Sequence, residues 1–475
     1  MNQMTIKKIV MDELAAQYEL QDLLGEGGQG AVYQTNFDKV LVKILKKNTS
    51  DKKKNEFNQK MRFLKRLDLQ DFHISLPIVL LANDDTGYIM EVMDEMMTIS
   101  KLLIVDNDDV KQWYLETGGI KRRIELLLKL AKIINDLHSE GLAFGDLSPS
   151  NIYISENSDF SEVQLIDCDN ISPVSDIGDA NIYTAEYGAP EMVRGESGYN
   201  TLTDVWSFAI IAYQLLTLNH PFKGMLFDEI DIEEAEQKLA NGELPWVYDE
   251  NDFSNEATGS GLPWDLVISP KMMTLFQKTF TNNGAVKTRA TIQEWITVLE
   301  RVMHSFKVCS NSNCSAHFLY KKKALCPFCE SKSKPSIILK TICWQPTREQ
   351  DNNEDAQEEN GRYCDLPPLD LPKVILNQGE MIDISRHLFE NFITNGTSLR
   401  LEYQENALRL IPKDNKQITV RICENKDSIH YIEGKEHLLG KAKKIPSGGV
   451  RKHYTLHLGE LNEPHRVILF NWLGR

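Results

Sequence analysis

Lys43, Asp146, Asn151 and Asp167 lie far apart along the chain, yet their types suit one task, holding a metal-bound polyphosphate. Lys43 sits in Val40-Leu41-Val42-Lys43-Ile44, with apolar neighbours of strand character. A lysine there needs an anionic partner, and phosphate oxygens would serve. The plainer alternative is an edge lysine whose stem snorkels to water. Upstream, Leu24-Gly25-Glu26-Gly27-Gly28-Gln29-Gly30-Ala31-Val32-Tyr33 carries G-x-G-x-x-G-x-V. Gly25, Gly27 and Gly30 would let the backbone approach phosphate oxygens with no Cβ in the way. By itself this pattern fits a ligand-free hairpin equally well. In a dinucleotide fold it would open a helix, whereas here more strand follows. Phe144-Gly145-Asp146-Leu147-Ser148-Pro149-Ser150-Asn151 comes next, then Leu165-Ile166-Asp167-Cys168-Asp169. Thr184-Ala185-Glu186-Tyr187-Gly188-Ala189-Pro190-Glu191 and Asp204-Val205-Trp206-Ser207-Phe208 complete the series. Each segment is weak alone, and the signal is their joint order and spacing.

A second set is made of sulfur. Cys309-x4-Cys314-x11-Cys326-Pro327-Phe328-Cys329 offers two opposed pairs with the spacing of tetrahedral Zn2+ ligands. Four thiolates close the coordination shell, so the site would be structural, and the metal would supply folding energy to a short segment. Buried free thiols are the alternative. His317, three residues after Cys314, could replace it as a ligand.

Regular elements must place these groups. Residues 18–45 alternate in character and are punctuated by glycine, as a strand hairpin would be. Asn55–Leu67 and Arg122–His138 have helical apolar spacing, and Asp204–Leu218 is apolar nearly all round, which predicts a buried helix. Gly87–Met93 reads as a buried strand. Residues 222–262 read as an acidic helix-plus-loop insertion, and 272–306 as helical again. Thr347–Arg362 has no large apolar residue and reads as a flexible linker. Ser398–Tyr403, Leu408–Pro412, Gln417–Cys423, Tyr454–Leu458 and Arg466–Trp472 alternate as strands do.

Over about residues 18–303 the sequence resembles the protein kinase family, on the motifs quoted above. The resemblance implies a two-lobed α+β fold and Mg2+·ATP-dependent transfer to protein Ser/Thr, serine and threonine being favoured over tyrosine by family analogy. It implies that Gly25, Gly27, Gly30 and Val32 cover the nucleotide and that Lys43 holds the α- and β-phosphates. Asp146 would accept or orient the substrate hydroxyl, and Asn151 and Asp167 would ligate Mg2+. Met90, Glu91, Val92 and Met93 match the adenine-binding hinge, with Met90 as gatekeeper. Thr184 matches the threonine beside the catalytic aspartate. Glu191 and Arg289 match a buried ion pair, and Asp204 the aspartate that ties the catalytic loop to a central helix.

The departures are specific. Phe144-Gly145 replaces the usual His-Arg, so a phosphorylated activation loop lacks its arginine. Ser148 stands where a lysine often meets the γ-phosphate. Asp167-Cys168-Asp169 replaces Asp-Phe-Gly. Counting along the first helix puts Lys60 where a glutamate should pair with Lys43, with Glu56 one turn earlier. Three readings stay open: a register off by one turn, substitution by Glu56, or no ion pair. GEGGQGAVY, GDLSPSN, IDCDN, GAPE and His220-Pro221-Phe222 together resemble a divergent group of bacterial kinases that end in a short cysteine motif. A pseudokinase scaffold is the first alternative. A small-molecule kinase is the second, though Thr184–Glu191 with Asp204-Val205-Trp206 forms a peptide platform such enzymes lack.

The chain of 475 residues has net charge −16, which argues against a nucleic-acid surface. No apolar run approaches the ~20 residues needed to span a bilayer, and no secretory leader is evident, so a cytoplasmic location without membrane contact is expected. The expected organisation is an extension (1–17), an N-lobe (18–93), a C-lobe (94–306), a zinc-ribbon-like module (307–332), a linker (333–362) and a small β-rich domain (363–475). That last domain is expected to recruit substrate or partner, or to regulate the kinase in cis.

Overall fold

A computed structural model of the chain describes residues 8–26, 30–69, 71–82, 85–91, 94–105, 109–174, 183–259, 261–321, 325–346, 361–364, 374–384, 399–404, 407–412, 418–423, 429–432, 437–440, 453–459 and 461–473. The chain divides into two compact units, Met1–Leu299 and Glu300–Arg475.

The first unit begins with β1 (Ile9–Met11), β2 (Gln17–Glu26), β3 (Gly30–Thr35) and β4 (Val40–Leu45). After helix α1 (Asp51–Leu64) come β5 (Val79–Leu80) and β6 (Gly87–Glu91). The strands form one antiparallel sheet in the order β1-β2-β3-β4-β6-β5. Val42, Ile44 and Ile89 pack with Val10 and Leu20 on one face. Residues 1–17, expected as an extension, contribute β1 to this sheet, because Val10 is buried in its core. Ser50 caps α1 by accepting from the Lys53 N–H, and Phe57, Met61 and Leu64 form the helix's buried face.

The larger lobe holds β7 (Met96–Thr98), α2 (Val110–Glu116), α3 (Gly119–Ser139), β8 (Leu142–Ala143), β9 (Ile152–Ser155), β10 (Val163–Leu165) and β11 (Ser172–Pro173). It continues with α4 (Pro190–Val193), α5 (Thr201–Thr217), α6 (Met225–Glu229), α7 (Ile232–Asn241), α8 (Trp264–Val267), α9 (Pro270–Gly284) and α10 (Ile292–Met303). Helix α5 is buried along nearly its whole length, as its all-round apolar character requires. A reciprocal capping box between Asn200 and Thr203 starts it. Among the described residues no helix is long and apolar enough to cross a membrane.

The second unit opens with β12 (Phe306–Val308) and β13 (His317–Leu319), an antiparallel pair. Then follow β14 (Ser336–Pro346), β15 (Gly361–Cys364), β16 (Val374–Asn377), β17 (Met381–Asp383), β18 (Leu399–Gln404) and β19 (Ala407–Pro412). The last strands are β20 (Ile418–Cys423), β21 (Ile429–Ile432), β22 (His437–Gly440), β23 (His453–His457) and β24 (His465–Leu473). Among the described residues one sheet runs β15-β14-β24-β23-β20-β21, with β16 also paired to β14, and a second runs β17-β18-β19-β22. Ile337, Leu339 and Phe470 of the first sheet share a core with Leu401, Tyr403 and Leu410 of the second, which makes a β-sandwich.

The stretch 333–362 departs from its expected role as a linker. Ser336–Pro346 is a buried strand inside the sandwich, and Pro346 pairs with Gly361. The acidic run therefore joins two strands of one sheet, and residues 347–360 themselves lie outside the described residues.

Candidate active site and cysteine cluster

Strand β4 carries Lys43 into the interior, where its side chain is 6% exposed. Its ammonium group ion-pairs with Asp167 Oδ1 and lies 2.6 Å from Asp169 Oδ2. Burial pulls the Lys43 pKa down, but the carboxylates of Asp169 and Asp167 more than offset it, so its pKa is raised. Asp167 adopts a left-handed backbone (φ 64°), a strained conformation for a residue with a Cβ.

The loop after β8 brings in the other two groups. Asn151 Nδ2 donates to the Asp146 carbonyl (2.9 Å), which leaves the Asn151 amide oxygen for another partner. Ile166, next to Asp167, donates its N–H to the Asn151 carbonyl (3.0 Å). Asp146 Oδ1 accepts from the Thr184 N–H (2.9 Å) and hydroxyl (2.8 Å). Burial raises the Asp146 carboxyl above its usual range, against the pull of the Thr184 bonds. The lysine, the amide and the two acids thus belong to one hydrogen-bonded region.

Asp204, at the start of α5, holds this loop. Its carboxylate accepts from the Phe144 N–H (2.8 Å) and the Gly145 N–H (3.0 Å), and meets His138 Nε2 at 3.0 Å. Gly145 has φ +88°, and a Cβ there would lie 3.1 Å from the Tyr199 ring. That ring occupies the approach, and its hydroxyl donates to Ser172 Oγ (2.7 Å). The position where an arginine was missed is therefore filled by packing.

Beside these groups lies a cavity of about 810 Å3 lined by Leu24, Val32, Leu41, Met90, Tyr153 and Ile166. Gly25 also borders it. Gly30 sits tightly in the sheet, since a Cβ would lie 2.4 Å from the Ile44 carbonyl oxygen. Met90 and Glu91 end β6, buried and exposed respectively. Gly27, Val92, Met93 and Ser175 lie outside the described residues. Ser148 is buried, with its hydroxyl 2.8 Å from that of Ser150.

The open question about α1 is answered. Glu56 is largely exposed (61%) and sits 3.8 Å from Lys52, so it does not substitute. Lys60 shares the inner face with Phe57 and Leu64, and burial lowers its pKa against the pull of Asp169, Cys168 and Asp167. The acid that meets Lys43 besides Asp167 is Asp169, which sequence reasoning passed over. The unusual second aspartate of Asp167-Cys168-Asp169 was the available signal.

Glu191 and Arg289 are buried partners, with Nη1–Oε1 2.8 Å and Nη2–Oε2 3.1 Å. Arg289 also donates to the Leu202 carbonyl and lies over the Trp206 ring. Arg289→Ala would strand a buried carboxylate, so we expect a loss of about 3–5 kcal/mol of stability. A urea titration checks this, and a loss of roughly 1 kcal/mol or less would contradict it.

In the second unit, the Sγ atoms of Cys309, Cys314, Cys326 and Cys329 all lie within 4.8 Å of one another. Cys309–Cys329 is 3.5 Å and Cys314–Cys326 is 3.8 Å. Tetrahedral Zn2+ with Zn–S near ~2.3 Å requires S···S near ~3.8 Å, so the donor set fits. Each knuckle is turned by a left-handed residue directly after its second cysteine, Ser315 (φ 48°) and Glu330 (φ 58°). Burial pushes Cys309 up to about 12, while hydrogen bonds from Ser331 pull Cys329 down to about 6. His317 lies in β13 beside Val308 and is not part of the sulfur cluster.

Comparison with known proteins agrees with the geometry of the first unit. The family described as "Protein kinase domain" matches residues 18–298. The chain belongs to the protein kinase family. It is similar to the human serine/threonine-protein kinase Nek11, 27% identical over 252 residues (49% of this chain, 35% of that protein). It is also similar to the serine/threonine-protein kinase PknB of Mycolicibacterium smegmatis, 28% identical over 223 residues (44% and 34%). A shorter match joins it to the serine/threonine-protein kinase pkn2 of Myxococcus xanthus, 34% identical over 113 residues (22% and 13%). The chain spans about a third of the length of the first of these relatives.

Proposed function

We propose that the chain is an active protein kinase that transfers the γ-phosphoryl group of ATP to serine or threonine hydroxyls of proteins. The observation that carries this reading is the meeting of Lys43, Asp167, Asn151 and Asp146 in one hydrogen-bonded region beside a cavity of about 810 Å3. The wall formed by Leu24, Val32, Leu41, Met90 and Ile166 suits an adenine ring, and the rest of the lining, with Gln34, Lys39, Asp94 and Glu156, is polar. Lys43 would hold the α- and β-phosphates, with glycine backbone above them. The Asn151 amide oxygen and the Asp167 carboxylate are hard oxygen donors and fit Mg2+. Bound Mg2+ would neutralise charge on the phosphate oxygens. Asp146, held by Thr184, would orient the substrate hydroxyl and take its proton as the oxygen attacks phosphorus. A scaffold without chemistry has no physical use for this acid beside two metal ligands. The four cysteines are proposed to hold a structural Zn2+.

Activation-loop phosphorylation is not proposed as the switch. Gly145 offers no cation to a phosphate, and the space beside it is taken by the Tyr199 ring, whose hydroxyl donates to Ser172. Exhaustive phosphatase treatment should leave the transfer rate within about threefold. A loss of roughly tenfold or more, restored on rephosphorylation of Ser172, Ser175 or Thr184, would refute this.

A further inference from the structure

We propose that Asp169 is the positioning residue for Lys43, an acid moved from the first helix to the segment after Asp167. Kinases hold this lysine with a helix glutamate. Here the helix has Lys60 at that place, and Glu56 faces water. Asp167 also pairs with Lys43, but it is partly open to solvent (31% exposed) and on the kinase reading its carboxylate is taken up by the metal. Asp169 is 1% exposed and uses both its oxygens: Oδ2 meets Lys43 at 2.6 Å, and Oδ1 accepts from the Tyr88 hydroxyl at 2.9 Å. Tyr88 in β6 lies directly across the sheet from Lys43 in β4. Its ring stacks on Phe57 of α1 at 6.1 Å between centroids. Helix α1 therefore steadies the lysine through Phe57, Tyr88 and Asp169 rather than through a charge of its own.

Two departures become one exchange on this view. A glutamate at position 60 together with Asp167 and Asp169 would crowd three acids around one lysine, and like charges so close are costly. Lysine at 60 instead brings a positive charge within electrostatic reach of the relocated acid. The catalytic part of the inference rests on the kinase reading, whereas the pairing itself does not.

The pairing is tested without nucleotide by thermal unfolding of Lys43→Met, Asp169→Asn and the double variant. Strong non-additivity is expected, because Lys43→Met leaves the buried Asp169 carboxylate without its cation and Asp169→Asn leaves Lys43 with Asp167 alone, whereas the double change removes both members of the buried pair. Additive shifts would overturn the pair. The catalytic part is tested kinetically, at a temperature where every variant is folded. Asp169→Asn should lower kcat about 100-fold, with KM for ATP within about threefold, because Lys43 keeps its charge and loses its aim. Lys60→Glu in the Asp169→Asn background should recover at least about tenfold, since it returns the acid to the helix. A merely structural role for Asp169 would show no such recovery, and its absence would overturn the proposal. Coupled unfolding in a protein that transfers no phosphate would remove the kinase reading while supporting the pair.

Discussion

Asp146→Ala is expected to lower phosphate transfer from γ-labelled ATP to a protein substrate by about 100- to 10,000-fold, the range for loss of a positioned acid or base. The side chain is held by two bonds from Thr184, and its own backbone carbonyl receives the Asn151 amide. Alanine keeps that carbonyl, so the Asn151 contact survives, while the Thr184 N–H and hydroxyl lose their acceptor. Asp167→Asn should be comparably damaging for another reason, since it replaces a charged oxygen donor with a neutral one where phosphate charge must be neutralised. It also weakens the ion pair to Lys43. The two variants can be told apart by nucleotide binding in the presence of Mg2+. Asp146→Ala should bind ATP about as tightly as the native chain, and Asp167→Asn more weakly. Label incorporation by Asp146→Ala at the native rate would sink the assignment. Native protein that binds ATP and transfers nothing would make the chain a pseudokinase.

The parts of this site that the sequence exposes are those whose chemistry tolerates few substitutes. Asn151 and Asp167 were singled out because their segments resemble the kinase motifs, in which such residues supply the oxygen donors a hard metal ion prefers. Lys43 was readable because a cation between apolar strand neighbours demands an explanation. Helix α5 was readable from its all-round apolar character, and its burial follows. Asp169 was not, because its partner is 126 residues away by number (169 − 43) and pairing across a fold leaves no local period. Tyr199 escaped for the same reason: nothing near it in sequence says that it packs against Gly145. The misplaced linker has a different cause. Low hydrophobicity marks a segment that cannot build a core, but it does not say whether the flanks belong to one sheet or to two bodies. Ser336–Ile342 alternates poorly, as strands buried on both faces do, so a buried strand beside an acidic loop was absorbed into the loop. The cysteine cluster was the most legible feature of the second unit, since ligand spacing is set by metal geometry and not by the surrounding fold.

Removal of zinc should have the largest effect on stability. Between Val308 and Ser333 the described chain forms little regular structure beyond β13, and four sulfurs lie at its centre. So short a segment cannot offset its ordering entropy by burial, whereas a structural zinc contributes on the order of 10 kcal/mol. Native protein purified without chelator should contain about one zinc per chain. A strong chelator, or Cys326→Ser, should release it and open this segment to protease. The damage should reach the sandwich edge in the second unit, because the knuckle is tied there by Asn377 Nδ2 donating to the Phe306 carbonyl (2.9 Å) and by the Lys334 N–H donating to the Val308 carbonyl (2.7 Å). Buried Lys307, which donates to Ser336 Oγ, sits on the same seam. Hydrogen exchange should therefore quicken first at Cys309–Cys329, then at Ser336–Leu339 and its partner residues in β24, and least at β20 and β21, which do not pair with β14. Exchange unchanged at the knuckle after complete metal removal would mean that the four thiols pack without a metal.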